Sequence, residues 1–170
     1  MNPLTERLRQ HYAKKFKEFG ATSEGVDWGP REKAQLRYEV MMDVIRPEDR
    51  ISNERMSVLD IGCGYGGQYE FALSEGYTNI DFTGVEVVGE MVEHAQQKYP
   101  TATFIEGDFL ELKGIGEFDY LICNGILTQR LAASNEEMKT YMMELIHKMF
   151  SVCKKGIVFN TMTSYVDFET

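Results

Sequence analysis

The run Val58-Leu59-Asp60-Ile61-Gly62-Cys63-Gly64-Tyr65-Gly66-Gly67 decides how this chain is to be read. Its first half completes a short β-type segment, Met56 to Ile61, and its second half is a glycine turn. Behind the turn, Phe71, Ala72 and Leu73 carry a helix that ends near Gly76. Glycine lets a backbone turn sharply and approach a ligand with no Cβ in the way. A helix that starts at such a turn offers its first N–H groups to the same ligand. Gly62, Gly64 and Gly67 match the spacing GxGxxG, which on its own also suits a dinucleotide.

Downstream, the pattern alternates between strand and helix. Ile80 to Val88 reads as a second strand, Gly89 to Tyr99 as a crossover helix, Thr101 to Ile105 as a third strand and Phe118 to Cys123 as a fourth. Ser134 and Glu137 have the spacing of a capping box, which opens a long helix. Its Met138, Tyr141, Met142, Leu145, Ile146 and Met149 stand three and four apart, as one packed face does. Lys154 and Lys155 suit the end of that helix, Gly156 its terminator, and Ile157 to Asn160 a fifth strand. Strands alternating with helices predict an α/β, doubly wound and mainly parallel sheet of about five strands, order 3-2-1-4-5, with helices on both faces.

Upstream, Leu4, Leu8, Tyr12, Phe16 and Phe19 fall on one helical face, and Gly20 ends that helix. Residues 21–29 are rich in turn formers, and Pro30 suits the first turn of a second helix. That helix carries Leu36, Val40, Met41, Val44 and Ile45 on one side, and Pro47 is expected to stop it. The expected organisation is an N-terminal helical extension or lid over residues 1–55 and a core over 56–170, together one compact domain.

Composition bounds the function. The chain has 170 residues, 43% of them hydrophobic and 26% charged, as in an ordinary globular protein. The net charge of −9 and the dispersed basic residues argue against a nucleic-acid partner. No apolar run is long enough for a membrane span or a signal peptide, so the expected location is cytoplasmic. Cys63, Cys123 and Cys153 are odd in number and widely spaced, and His11, His94 and His147 do not cluster. Neither a disulfide framework nor a metal site is expected.

Asp60 sharpens the reading of the glycine turn. At the tip of a strand and facing the ligand, its carboxylate would repel a pyrophosphate but attract an amino group and a sulfonium. With the whole run VLDIGCGYGG, residues 56 to 160 resemble the class I S-adenosylmethionine-dependent methyltransferases. The resemblance implies S-adenosylmethionine as cofactor, S-adenosylhomocysteine as product, and a ligand set that can be checked position by position. Glu86 ends the second strand, 26 residues after Asp60, where the family bonds the ribose hydroxyls, with Val87 beside it. Met91 stands where an apolar residue packs near the adenine. Gly107, Asp108 and Phe109 follow the third strand, where an acid accepts from the adenine amino group and a ring flanks it. Gly62, Cys63, Gly64 and Gly67 form the turn itself, and Asn124 at the tip of strand four would orient the methionine end or the acceptor. Arg37 is a candidate partner of the cofactor carboxylate. A competing reading is a nicotinamide-dependent oxidoreductase, which the GxGxxG spacing and Glu86 allow and Asp60 disfavours.

No clear catalytic base stands out. Methyl transfer from a sulfonium needs mainly orientation and exclusion of water, and the weak catalytic candidates are Asn124, His11 and Tyr12. Thr128, Gln129 and Arg130 are expected as polar contacts on the acceptor side, and Trp28 as a residue closing the pocket or pinning its loop. The expected activity is direct in-line methyl transfer to a small-molecule acceptor. The family's core has two further strands after the fifth, and the sequence stops at Tyr165 to Thr170. Either the chain is a truncated form, or the tail or a second copy covers the open edge, which makes a homodimer possible. The alternative is a protein that binds the cofactor without transferring its methyl group.

Overall fold

A computed structural model describes residues 2–162. The chain starts with helix α1, Pro3–Phe19, because Asn2 caps it through its side chain on Thr5 N–H (2.8 Å) and Pro3 occupies a position where no N–H is needed. Helix α2 covers Arg31–Met42 and the short α3 Pro47–Arg50. Then come β1 (Met56–Ile61), α4 (Gly67–Ser74), β2 (Ile80–Glu86), α5 (Gly89–Lys98), β3 (Thr103–Glu106), β4 (Phe118–Cys123), α6 (Asn135–Ser151) and β5 (Cys153–Phe159).

The five strands form one parallel sheet in the order β3-β2-β1-β4-β5, the order expected from the sequence. Alternating strand residues feed two cores. Val58, Phe82, Phe104, Tyr120 and Ile122 pack with Met41 and Met42 of α2, Tyr69 of α4 and Val92 of α5 on one face. Leu59, Ile61, Val85, Leu121 and Cys123 pack with Leu4 and Leu8 of α1 and Tyr141, Leu145 and Met149 of α6 on the other. Both faces of the sheet are thereby covered, which is what near-continuous apolar strands require. The register sets Ile61 beside both Val85 and Cys123, Glu86 beside Glu106, and Cys123 beside Phe159. The carboxyl ends of the strands therefore finish level along one side of the sheet.

Three local expectations are corrected. Helix α6 stops at Ser151, and Lys154, Lys155 and Gly156 belong to β5 instead of a helix end. Pairing begins early because Phe118 N–H donates to Val152 C=O at 2.8 Å. Gly156 is a glycine because Val44 and Tyr120 press on the strand there; a Cβ would stand 3.1 Å from Val44 Cγ2. Helix α2 stops at Met42 and buries Ala34, Tyr38, Met41 and Met42, leaving Leu36 and Val40 exposed. The aromatic Tyr38 face, which also meets Trp28 and Phe71, outcompetes the aliphatic one. Pro47 opens α3 instead of stopping α2, since proline suits a first helical position. The expectation about the last residues, Tyr165 to Thr170, falls outside the described residues. Among the described ones, β5 is paired with β4 and carries no strand on its other side.

Candidate functional site

The carboxyl ends of β1, β2 and β4 and the turn after β3 surround a single pocket. Asp60, Gly62, Cys63, Gly64 and Gly67 line it from β1 and the turn; Glu86, Val87 and Met91 from β2 and α5; Gly107, Asp108 and Phe109 from the turn after β3; and Asn124 from the tip of β4. Tyr12 and Trp28 enter from the N-terminal segment. Arg37 and His11 stand outside this lining: Arg37 lies over the Trp28 ring at 5.4 Å, and His11 bonds Asp27.

Two glycines of the turn are required by close approach. Gly62 has φ +73°, and a Cβ there would sit 2.6 Å from Ile126 Cδ1. At Gly67 a Cβ would sit 2.1 Å from the Tyr38 hydroxyl, which packs over the start of α4.

Three buried acids have different surroundings. Asp60 is 2% exposed and receives no hydrogen bond from any described residue. Burial, with the nearby Glu86 charge adding to it, pushes its carboxyl up to about 8. Glu86 accepts from Gly64 N–H (3.0 Å), Val87 N–H (2.7 Å) and Val88 N–H (3.0 Å), so it ties the glycine turn to the end of β2. Burial raises its pKa, against those three N–H groups, which favour the anion. Asp108 divides its work. One oxygen accepts from Leu110 N–H at 3.0 Å and closes the turn after β3, while Oδ2 is buried without a partner. Cys63 is no nucleophile, because burial raises its thiol far above the ordinary range.

The N-terminal segment covers the opening. Asp27, at φ +60°, bonds His11 and pairs with Lys15 at 2.8 Å, which ties the loop after α1 back onto α1. That loop sets Val26 and Trp28 against the pocket, with Val26 Cγ1 close over Gly64 and the Trp28 indole over Gly125. The Tyr12 phenol keeps its proton, since burial raises its pKa. Thr128, Gln129 and Arg130 do not line the pocket; Thr128 bonds Gly125 C=O (2.6 Å), Arg130 bonds Asn135 (3.1 Å), and Gly125 and Ile126 face the pocket in their place.

Sequence reasoning missed Thr5, Gln68 and Tyr141, which also line the pocket. Thr5 and Tyr141 sit on apolar helix faces and give no signal of their own. Gln68 is 2% exposed in the first turn of α4, and a polar residue directly after a glycine turn is a signal that was available. Among the described residues no three His, Cys, Asp or Glu side chains gather as a metal site, and no helix is long and apolar enough to cross a membrane.

A family model described as a methyltransferase domain matches residues 52–167. The chain belongs to the methyltransferase-domain family. The class I likeness read from VLDIGCGYGG stands with it. No curated protein matches the chain. Among solved structures, magnesium protoporphyrin IX methyltransferase from Synechocystis PCC 6803, with bound SAH, aligns with TM-score 0.62 at 17% identity, over 92% of this chain and 71% of that one. DesVI from Streptomyces venezuelae aligns with TM-score 0.58 at 18% identity, over 82% of this chain and 55% of that one. The sugar N-methyltransferase KedS8 from Streptoalloteichus sp ATCC 53650 aligns with TM-score 0.55 at 20% identity, over 93% and 56%. At these identities the likeness is one of fold. The chain thus spans little more than half the length of DesVI and KedS8.

Proposed function

We propose that this methyltransferase domain binds S-adenosylmethionine in the pocket above the glycine turn and transfers its methyl group directly to a small-molecule acceptor. The observation that carries the reading is Asp60: a buried carboxyl at the tip of β1, without a hydrogen bond from any described residue, beside a turn that keeps Cβ atoms away. Once ionised, that carboxyl repels an anionic ligand and attracts an amino group and a sulfonium. Unpaired buried polar atoms fit the same ligand. Asp108 Oδ2 is an acceptor suited to an adenine amino group, with Phe109 beside it, and Gln68 Oε1 and Asn124 Nδ2 serve the amino-acid end.

The cofactor supplies an activated methyl group. The chain supplies shape and exclusion: Met91, Phe109, Val26, Trp28 and Tyr12 exclude water from the pocket, and of residues 1–55 it is α1 and the loop after it that serve as a lid, while α2 packs into the core. Tyr12, protonated at neutral pH, is a donor and no base, and His11 is held by Asp27 away from the lining. The acceptor is therefore expected to arrive with its own lone pair available. Titration calorimetry with S-adenosylhomocysteine and with NAD tests the reading. Binding of the first in the micromolar range and none of the second is expected; the reverse order of affinities overturns it. The edge of β5 that carries no strand among the described residues is proposed to pair in a homodimer, and sedimentation at a single 19.5 kDa mass across the micromolar range would dismiss that part.

A further inference from the structure

The tips of β4 and β5 carry a chain of hydrogen bonds whose polarity can be deduced without ambiguity. Gly125 N–H, which can only donate, bonds Asn160 Oδ1 at 2.8 Å. The other end of the Asn160 amide is therefore its NH2 group, and it donates to Asn124 Oδ1 at 2.9 Å. This leaves Asn124 Nδ2 as the free end, buried and without a partner, in a residue that lines the pocket and is 5% exposed. A side-chain amide that could face either way is thus held one way by a backbone group two steps removed.

Gln68 is fixed by the same logic in the opposite sense. Its Nε2 donates to Tyr38 C=O at 3.0 Å, which turns Oε1 into the pocket. Among the buried, unpaired side-chain atoms of the lining, Gln68 Oε1 and Asp108 Oδ2 are acceptors, Thr5 Oγ1 can act either way, and Asn124 Nδ2 is the one nitrogen. A zwitterionic ligand end needs acceptors for its ammonium and a donor for its carboxylate. Asp60 and Gln68 provide the former, and the locked amide of Asn124 provides the latter.

We infer that Asn160 is a positioning residue that holds the Asn124 amide with its NH2 toward the pocket, where it donates to the carboxylate of the cofactor's amino-acid end. The inference rests on the methyltransferase reading above and adds a residue and a role to it. Asn160 touches no ligand itself; it acts through Asn124. Nothing in the sequence pattern marked it beyond a polar residue ending an apolar strand.

A double-mutant cycle tests the assignment by calorimetry, with two probes: S-adenosylhomocysteine and the same thioether lacking the carboxyl group. Asn160→Leu is expected to weaken S-adenosylhomocysteine about tenfold, as loss of a hydrogen bond to a charged group does, and to leave the carboxyl-free probe within twofold. In an Asn124→Leu background the same substitution is expected to change neither. Asn160→Asp keeps an acceptor for Gly125 N–H and so protects the fold, while its second oxygen turns the Asn124 amide around. It should weaken S-adenosylhomocysteine more with Asn124 present than with Asn124→Leu. Hydrogen exchange of the Gly125 amide, read without ligand, should stay slow in Asn160→Asp and quicken in Asn160→Leu. Equal weakening of both probes, or an effect that persists undiminished with Asn124→Leu, overturns the positioning role. Wild-type protein that binds neither probe overturns the cofactor reading itself, and the two failures are thereby distinct.

Discussion

Asp60 shows how one residue can carry a functional reading and a cost to the fold at once. Its carboxyl is pushed up to about 8 from an ordinary value of 3.8, so the native protein holds a proton that the unfolded chain has already released. Its contribution to stability therefore falls as pH rises from 3.8 to about 8 and is flat outside that window. Asp60→Asn is expected to flatten the dependence of melting temperature on pH across that range in ligand-free protein. The same substitution should weaken S-adenosylhomocysteine at least tenfold at pH 8, because a neutral amide attracts an ammonium less than a carboxylate does. A variant with unchanged affinity and an unchanged pH profile would remove Asp60 from both roles. Glu86 and Asp108 were also legible as pocket acids from their positions after strands two and three. Their division of labour was not. That Glu86 spends its oxygens on Gly64, Val87 and Val88 N–H groups, and that Asp108 keeps one oxygen free, depends on rotamers chosen by neighbours distant in sequence.

Among the elements, strands β1 and β4 and the capping box of α6 stand where local pattern put them, since each depends on residues a few positions apart. The errors fell where tertiary contact overrides local signal: Gly156 answers to Val44 and Tyr120, and α2 turns by its Tyr38 side. The loop after α1 belongs to this scale too. Asp27 is held by His11 and Lys15, and those bonds keep its carboxyl below the ordinary value despite its burial, which pulls the other way. Stabilisation from this latch is present above the unfolded pKa and is lost as pH falls through the native one. Asp27→Ala should lower stability by about 1 kcal/mol, the scale of a partly exposed ion pair. It should also free Val26 and Trp28 to leave the pocket, so Trp28 fluorescence should shift red and S-adenosylhomocysteine should bind several-fold more weakly. Unaltered fluorescence would mean that the loop is held by Trp28 packing on Tyr38 and Arg37 instead.

At the scale of the molecule, β1 and β4 lie inside the sheet and β3 and β5 are the outermost of its described strands, so stability should be graded outward. Native-state hydrogen exchange is expected to be slowest at Leu59, Ile61, Leu121 and Cys123 and fastest, among strand amides, in β3 and β5. Exchange of Ile157 and Val158 as slow as that of Leu121 would show that the edge of β5 is covered in solution, as a homodimer would cover it. The sequence by itself determined the parallel α/β order, the glycine turn and the acids that follow each strand, because these depend on period, spacing and the steric freedom of glycine within one segment. Only the tertiary structure decided which groups meet over the turn. Trp28 above Gly125, Tyr38 above Gly67 and Asn160 holding Asn124 join residues from 29 to 97 positions apart in the chain. Contacts over such separations arise from the packing of helices on a sheet and leave no period in the sequence. The glycine turn together with Asp60 before it points to the kind of ligand; the fold around it decides how that ligand is held.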